Sequence, residues 1–300
     1  MDSNSVFKLF VISTLAGTAL QGAAHAADAT TDTSAGPAVR FLLESQSGYS
    51  FLSGGALDSE EEDSFSTTGA VGRINVEAGE YLNIQGDIFG DYAWIDGDAD
   101  DSYQSQIGGG LHLYGRSDMG ALGVFGALGD VSIANDSGGD DGGLNYIAGA
   151  EAQLYQGDWT FYLQAGWLDS ERSDDVDMIR DALFARGVVR HYFGADTLIQ
   201  AEAAYVSGEM DDDNDDMDIW SVGARLQHRF DFWPGAFYVG YRGDFADQDD
   251  TAGPIDSHTI QFGATYTFGS DSLQDNERNG AAMDLPAFMR WQGIAAGPLE

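Results

Sequence analysis

Between Val39 and Phe268 the chain repeats one unit, a run of alternating polarity followed by a turn, and the turns alternate between short and long. The short turns are Ala78-Gly79, Arg116 to Met119, Gln156 to Asp158, Gly194 to Asp196 and Phe232 to Gly235. The long ones cover 54–64, 97–101, 135–143, 171–180, 210–217 and 248–256, and most of the acid of the chain sits in them. Between the turns lie the segments 38–53, 65–77, 80–96, 102–115, 120–134, 144–155, 159–170, 181–193, 197–209, 218–231, 236–247 and 257–268. An even strand count, with tight turns at one end and long loops at the other, is the pattern of an up-and-down barrel that crosses a membrane.

Period-two alternation places successive side chains on opposite faces of a sheet. In the last segment Ile260, Phe262, Ala264, Tyr266 and Phe268 share one face, and Thr259, Gln261, Gly263, Thr265 and Thr267 the other. Segment 218–231 sets Trp220, Val222, Ala224 and Leu226 against Ser221, Gly223, Arg225, Gln227 and Arg229. A water-soluble barrel points its apolar set inward. Here the apolar sets carry aromatics near both ends, as interfacial girdles do, while the polar sets are rich in Gly, Thr, Gln and Arg. The expected fold is therefore all-β: an antiparallel transmembrane β-barrel of about 12 strands, with short periplasmic turns and long acidic extracellular loops.

The ends of the chain divide from this body. Leu9 to Leu20 is too short an apolar run to span a bilayer, and Ala24-His25-Ala26 gives the small-x-small pattern of a signal-peptidase site, so residues 1–26 read as a signal peptide. Residues 27–37 read as a polar, flexible start of the mature chain, 38–268 as the barrel, and 269–300 as a C-terminal periplasmic tail or lumen plug. Removing the leader takes away Lys8 and Asp2, leaving the net charge of −37 unchanged and no lysine. Such a field repels nucleic acid. With no cysteine there is no thiolate metal site, and no cofactor is expected. Asp96, Asp98 and Asp100 open like an EF-hand loop, but Asp101 stands where glycine belongs and Ile107 where glutamate belongs. Loose divalent cation binding at the acidic loops, beside lipopolysaccharide, is what remains of that reading.

Gln261, Gly263, Tyr266 and Phe268 fall in a polar-x-Gly-x-x-aromatic-x-aromatic pattern that resembles the C-terminal assembly signal of Gram-negative outer-membrane barrels. The resemblance implies recognition by the barrel assembly machinery and a place in the outer membrane among its lipid and lipopolysaccharide. Members of that superfamily commonly end at the last aromatic residue, whereas this chain runs on to Glu300.

By the same alternation, Arg40, Arg73, Arg186, Arg190, Arg225, Arg229 and Arg242 face the lumen, as do Glu44, Asp87, Glu151, Glu202 and Asp244. Two accounts fit. Guanidinium groups on a channel wall attract carboxylate and phosphate, and buried charges of opposite sign pair with one another. An arginine-lined twelve-stranded barrel is similar to the small outer-membrane porins that pass acidic sugars and oligosaccharides, a likeness of strand number and lumen chemistry only. The expected function is a porin-like channel for passive diffusion of small hydrophilic, including anionic, solutes; the alternative is a non-conducting structural or surface-interaction barrel. Self-association as a homo-oligomer is compatible with either.

No enzymatic site is expected. Of the mature histidines only His112 points inward; His191 and His228 face lipid. His258 shares the outward face with Ser45 and Ser47 of the neighbouring first segment, but the His-x-Ser pairing of an outer-membrane phospholipase is absent, since Ile260 stands at the serine position. An omptin-like protease would need a histidine beside the acid pairs of the loops, and none accompanies them on the lumen side.

Overall fold

The computed structural model describes residues 38–54, 64–96, 103–134, 140–171, 178–210, 216–231, 233, 235–248 and 254–295. The signal-peptide reading (1–26), the stretch 27–37 and the greater part of every long acidic loop, with the cation readings attached to them, lie outside the described residues. The described chain forms β1 (Val39–Gly54), β2 (Ser64–Glu77), β3 (Leu82–Asp96), β4 (Tyr103–Ser117), β5 (Gly120–Ala134) and β6 (Asp140–Gln156). It continues with β7 (Trp159–Ser170), β8 (Ile179–Tyr192), β9 (Thr197–Met210), β10 (Asp216–Arg229), β11 (Gly235–Gln248) and β12 (Ile255–Phe268). Two short helices follow, α1 (Leu273–Asn279) and α2 (Phe288–Ala295).

Each strand pairs antiparallel with its sequence neighbours, and β12 pairs with β1 to close the barrel, with Phe41 opposite Phe268 and Gly54 opposite Ile255. The strand edges of the sequence reading shift by a few residues. β6 starts at Asp140 instead of 144, and the turn expected at Ala78-Gly79 takes in residues 78–81, because Ala78 N–H donates to the Leu82 carbonyl and closes a wider loop.

The apolar faces point outward. Phe262 is 61 % exposed, Trp220 57 % and Ile199 45 %, where a water-soluble barrel would bury them. Leu111, Leu128 and Leu163 continue the band, with Trp159, Phe193 and Phe230 toward the tight-turn end and Tyr49, Phe51 and Trp94 toward the loop end. The closing strand carries the resemblance to the assembly signal, and its glycine has a packing reason as well. A Cβ at Gly263 would collide with the Ser45 carbonyl of β1 and with the end of the Tyr238 ring of β11, so that only glycine lets the strands meet there.

The sequence reading expected a polar inner wall throughout. The structure departs from this in the loop-side half of β5–β10. There Val131, Ile133, Ile147, Leu168, Phe184, Val206 and Ile219 face inward and are buried. Their inward faces are apolar because the lumen at that level holds α2, against which they pack.

Leu128→Arg tests which side meets hydrocarbon. The substitution should destabilise the barrel in lipid vesicles by about 2–4 kcal/mol in a urea titration, the range for a cation near the bilayer midplane of a barrel. A wall in contact with water would register less than about 0.5 kcal/mol.

Candidate functional site

The lumen is shared between the strand wall and the chain's own C-terminal segment. After Phe268 the backbone turns at Gly269, whose φ of 79° is left-handed and is reached without strain only by glycine. Ser272 then caps α1, its hydroxyl accepting from the Asp275 N–H at 2.9 Å. α1 lies across the tight-turn rim. Arg278 donates to the Gly157 carbonyl at 2.8 Å and stacks on Tyr155, Gln274 N–H donates to the Ala195 carbonyl at 3.0 Å, and Leu273 packs with Tyr192, Leu198 and Ala236.

α2 fills the loop-side half. Phe288, Met289 and Trp291 are buried against the inward apolar patch, a contribution of roughly 1.5–3 kcal/mol for each large side chain. Its polar groups reach round the circumference. Trp291 Nε1 donates to Ser221 Oγ at 3.0 Å, and Gln292 exchanges two hydrogen bonds with the Ile179 backbone at 2.8 and 2.9 Å. Arg290 donates to Asp244 at 2.6 Å and to the hydroxyls of Ser257 and Thr259 at 3.1 and 2.6 Å.

Between the helices, residues 281–286 cross the lumen without helix or strand. The Gln85 amide brackets Met283, donating to its carbonyl at 2.6 Å and accepting from its N–H at 3.2 Å. Tyr162 and Gln164 donate to the Asp284 carbonyl at 3.2 and 2.9 Å. The Asp284 carboxylate lies between Arg186, at 2.5 Å, and Arg190, one oxygen to each guanidinium. Burial alone would raise the Asp284 carboxyl, but the Arg190 and Arg186 charges outweigh it and hold the group well below the usual carboxylate range.

The twelve charged wall residues named from sequence all make contacts inside this lumen. Arg40 reaches Asp275 at 3.4 Å and Arg229 donates to the Ser270 carbonyl at 3.2 Å, both at the tight-turn rim. Arg225 pairs with Glu44 at 2.9 Å and lies over the Tyr238 ring. Arg73 meets Asp87 at 3.6 Å, and His112 sits between Asp87, at 3.4 Å, and Glu151, at 2.9 Å. Arg186 and Arg242 share Glu202 at 2.8 and 3.5 Å, Arg242 also holds Asp244 at 2.9 Å, and Arg190 holds Glu277 of α1 at 2.9 Å. The wall charges are paired in this arrangement, and Arg73, Arg225 and Arg242 also border the remaining space. Sequence reasoning left open the tail's part in it. Glu277, Asp284 and Arg290 are members of the network as much as any wall residue.

Beside the tail a cavity of about 870 Å³ remains. It is bordered by Leu42, Leu198 and Thr267 toward the tight-turn rim and by Leu52, Phe65 and Ile255 toward the loop rim. Arg73, Arg225 and Arg242 line it between these ends, with Glu44, Asp91, Gln46 and Gln106. Among the described residues no Ser–His pair forms around His258. Phe51, not Ser45 or Ser47, lies opposite it on β1, and its Nδ1 is 2.8 Å from the Tyr241 hydroxyl. His191 stacks on Trp159, and His228 Nδ1 lies 2.9 Å from the Thr197 hydroxyl.

The Asp284 contacts set a pH expectation. A carboxyl whose pKa is depressed on docking contributes fully above its ordinary value of about 4 and fades only as the pH falls below that, toward the docked value. Amide hydrogen exchange in α2 should therefore show, after correction for the intrinsic rate, the same protection at pH 7 as near pH 5. Asp284→Ala, which takes one of two carboxylate partners from each of Arg186 and Arg190, should weaken docking by about 1.4 kcal/mol and raise exchange roughly tenfold.

No protein-family model matches the sequence, and no curated protein does. Solved structures do. An outer membrane channel from Pseudomonas putida F1 superposes with a TM-score of 0.58 at 11% identity, over 79% of this chain and 98% of that one. The translocator domain of the autotransporter NalP from Neisseria meningitidis gives a TM-score of 0.48 at 14% identity, over 85% and 98%. The KdgM porin in complex with disordered oligogalacturonate gives 0.41 at 11% identity, over 74% and 99%. The last two scores are too low to carry an argument. The first likeness shows the fold: this chain shares with that channel the architecture of a closed antiparallel β-barrel, here of twelve strands.

Proposed function

We propose that the protein is an outer-membrane channel through which small hydrophilic solutes diffuse passively along the space left between its C-terminal segment and the barrel wall. The cavity beside the tail carries this reading. At about 870 Å³ it has the size of a small-molecule site and holds on the order of 30 waters. Its lining comes from both rims and joins amides and hydroxyls to charges of both signs. A packed core would leave no such space. The outward apolar band supports a place in the membrane, and the likeness to a solved outer membrane channel supports a conducting role.

The chemistry of the path favours hydrated polar solutes. Arg73, Arg225 and Arg242 border the cavity and supply a modest anion preference, tempered by Asp87, Glu44 and Asp244 beside them. A catalytic role has no comparable support. His112 is enclosed by two carboxylates, and the outward histidines face aromatic rings and hydroxyls at the lipid boundary. The second reading, a structural barrel with a blocked lumen, draws on the depth to which α2 fills the loop-side half.

Planar-bilayer recording separates the two. Purified full-length protein should give small, discrete current steps; a protein that inserts and carries none would reject the channel. If it conducts, Arg225→Glu with Arg229→Glu should move the reversal potential in a salt gradient toward cations. An unchanged potential would show that these guanidinium groups only brace the wall.

A further inference from the structure

Arg186 and Arg190 stand four residues apart on the inward face of β8, and both reach one carboxylate. Each has further acceptors. Arg186 bonds Gln164 Oε1 at 2.7 Å and Glu202 at 2.8 Å, while Arg190 bonds Gln200 Oε1 at 2.9 Å and Glu277 at 2.9 Å. The carboxylate between them belongs to Asp284, on a segment whose polar backbone contacts come from side chains: Gln85 on Met283, Tyr162 and Gln164 on the Asp284 carbonyl. It is held as a bound peptide is held, not as a strand of the sheet. Arg186, Arg190 and Asp284 all border the cavity. A solute in that space therefore meets the same guanidinium groups that hold the tail.

We infer that Arg186 and Arg190 form a carboxylate-binding site of the channel, and that Asp284 is its resident occupant, which a carboxylate-bearing solute displaces. The proposal rests on the channel reading and adds its regulation. When the tail withdraws, Asp284 and Glu277 leave together. Arg190 then has no carboxylate, and Arg186 shares its single partner, Glu202, with Arg242. An unpaired guanidinium in a confined lumen demands an anion. Entry of an anionic solute and release of the tail are thus one competition, and the anion preference of the released lumen exceeds that of the resting one.

The native sequence has no cysteine, so a single introduced thiol reports on the tail. Full-length Met283→Cys protein in detergent is treated with a bulky hydrophilic maleimide, with citrate as the competing carboxylate and glucose as the neutral control, at constant ionic strength. Citrate should accelerate modification by on the order of tenfold, equivalent to a shift of about 1.4 kcal/mol in the docking equilibrium, and glucose should leave it unchanged. In Arg186→Gln with Arg190→Gln the rate should be fast and indifferent to citrate. Asp284→Asn should also be fast with its native arginines, and its modification should gain no further acceleration from citrate. Ala282→Cys repeats the measurement should the first variant not fold. Equal rates with and without citrate, or acceleration that survives loss of both arginines, would overturn the site. Currents in bilayers without a citrate effect on labelling would leave the channel standing and remove this competition. A citrate effect in a protein that carries no current would keep the site and remove the channel.

Discussion

Closure of the sheet is the constraint on which everything else in this molecule depends. Hydrocarbon offers no hydrogen-bond partner, so a strand crossing it has to give its N–H and C=O groups to neighbours on both sides. The fourteen-residue register between β1 and β12 supplies the last pair of neighbours and leaves no edge. Closure also separates two environments within each strand. Outward positions are set by lipid, inward positions by whatever occupies the lumen, and successive residues answer to different solvents. Gly263 shows how tightly the seam is made: the Ser45 carbonyl of β1 takes the place that a Cβ would need.

Inside the wall the governing problem is charge. Arginines and carboxylates out of bulk water are tolerable when they find one another, and here they do so across the bore and through the tail. Asp284, Glu277 and Arg290 are threaded into the wall network at the centre, the tight-turn side and the loop side. Such pairs add little net stability compared with apolar packing, but they fix geometry. Trp291, Phe288 and Met289 provide the apolar part of the docking against the inward patch. The tail is thus anchored by packing at one level and by ion pairs at another, beside the cavity.

Much of this was legible in the sequence because period two is a strict code. Once the outward set of a strand is recognised, each inward residue follows, which is how the seven arginines and five acids of the wall were named and how His258 was placed away from the lumen. The limits were equally physical. Around Phe184, between Leu183 and Ala185, both faces of the strand are apolar and alternation carries no information; at Val131 and Ile133, which alternate with Asp130 and Ser132, the apolar set is the inward one, and that half makes sense only once α2 is present. The pairing of Asp284 with Arg186 spans 98 residues, and local pattern does not register a contact between segments so far apart. Phe288, Met289, Trp291 and Ala295 share a buried helical face, which signals a helix seeking a surface but not which surface it finds.

The account stands on two placements, hydrocarbon outside the wall and the C-terminal segment within it, and one fluorescence measurement addresses both. Single-tryptophan variants retaining either Trp220 or Trp291 are reconstituted into vesicles and exposed to brominated acyl chains or to aqueous acrylamide. Trp220 emission should be quenched by the brominated lipid, and Trp291 emission should resist both agents. Quenching of Trp291 by acrylamide at the rate of an unfolded chain, together with a Trp220 that the lipid fails to quench, would contradict it.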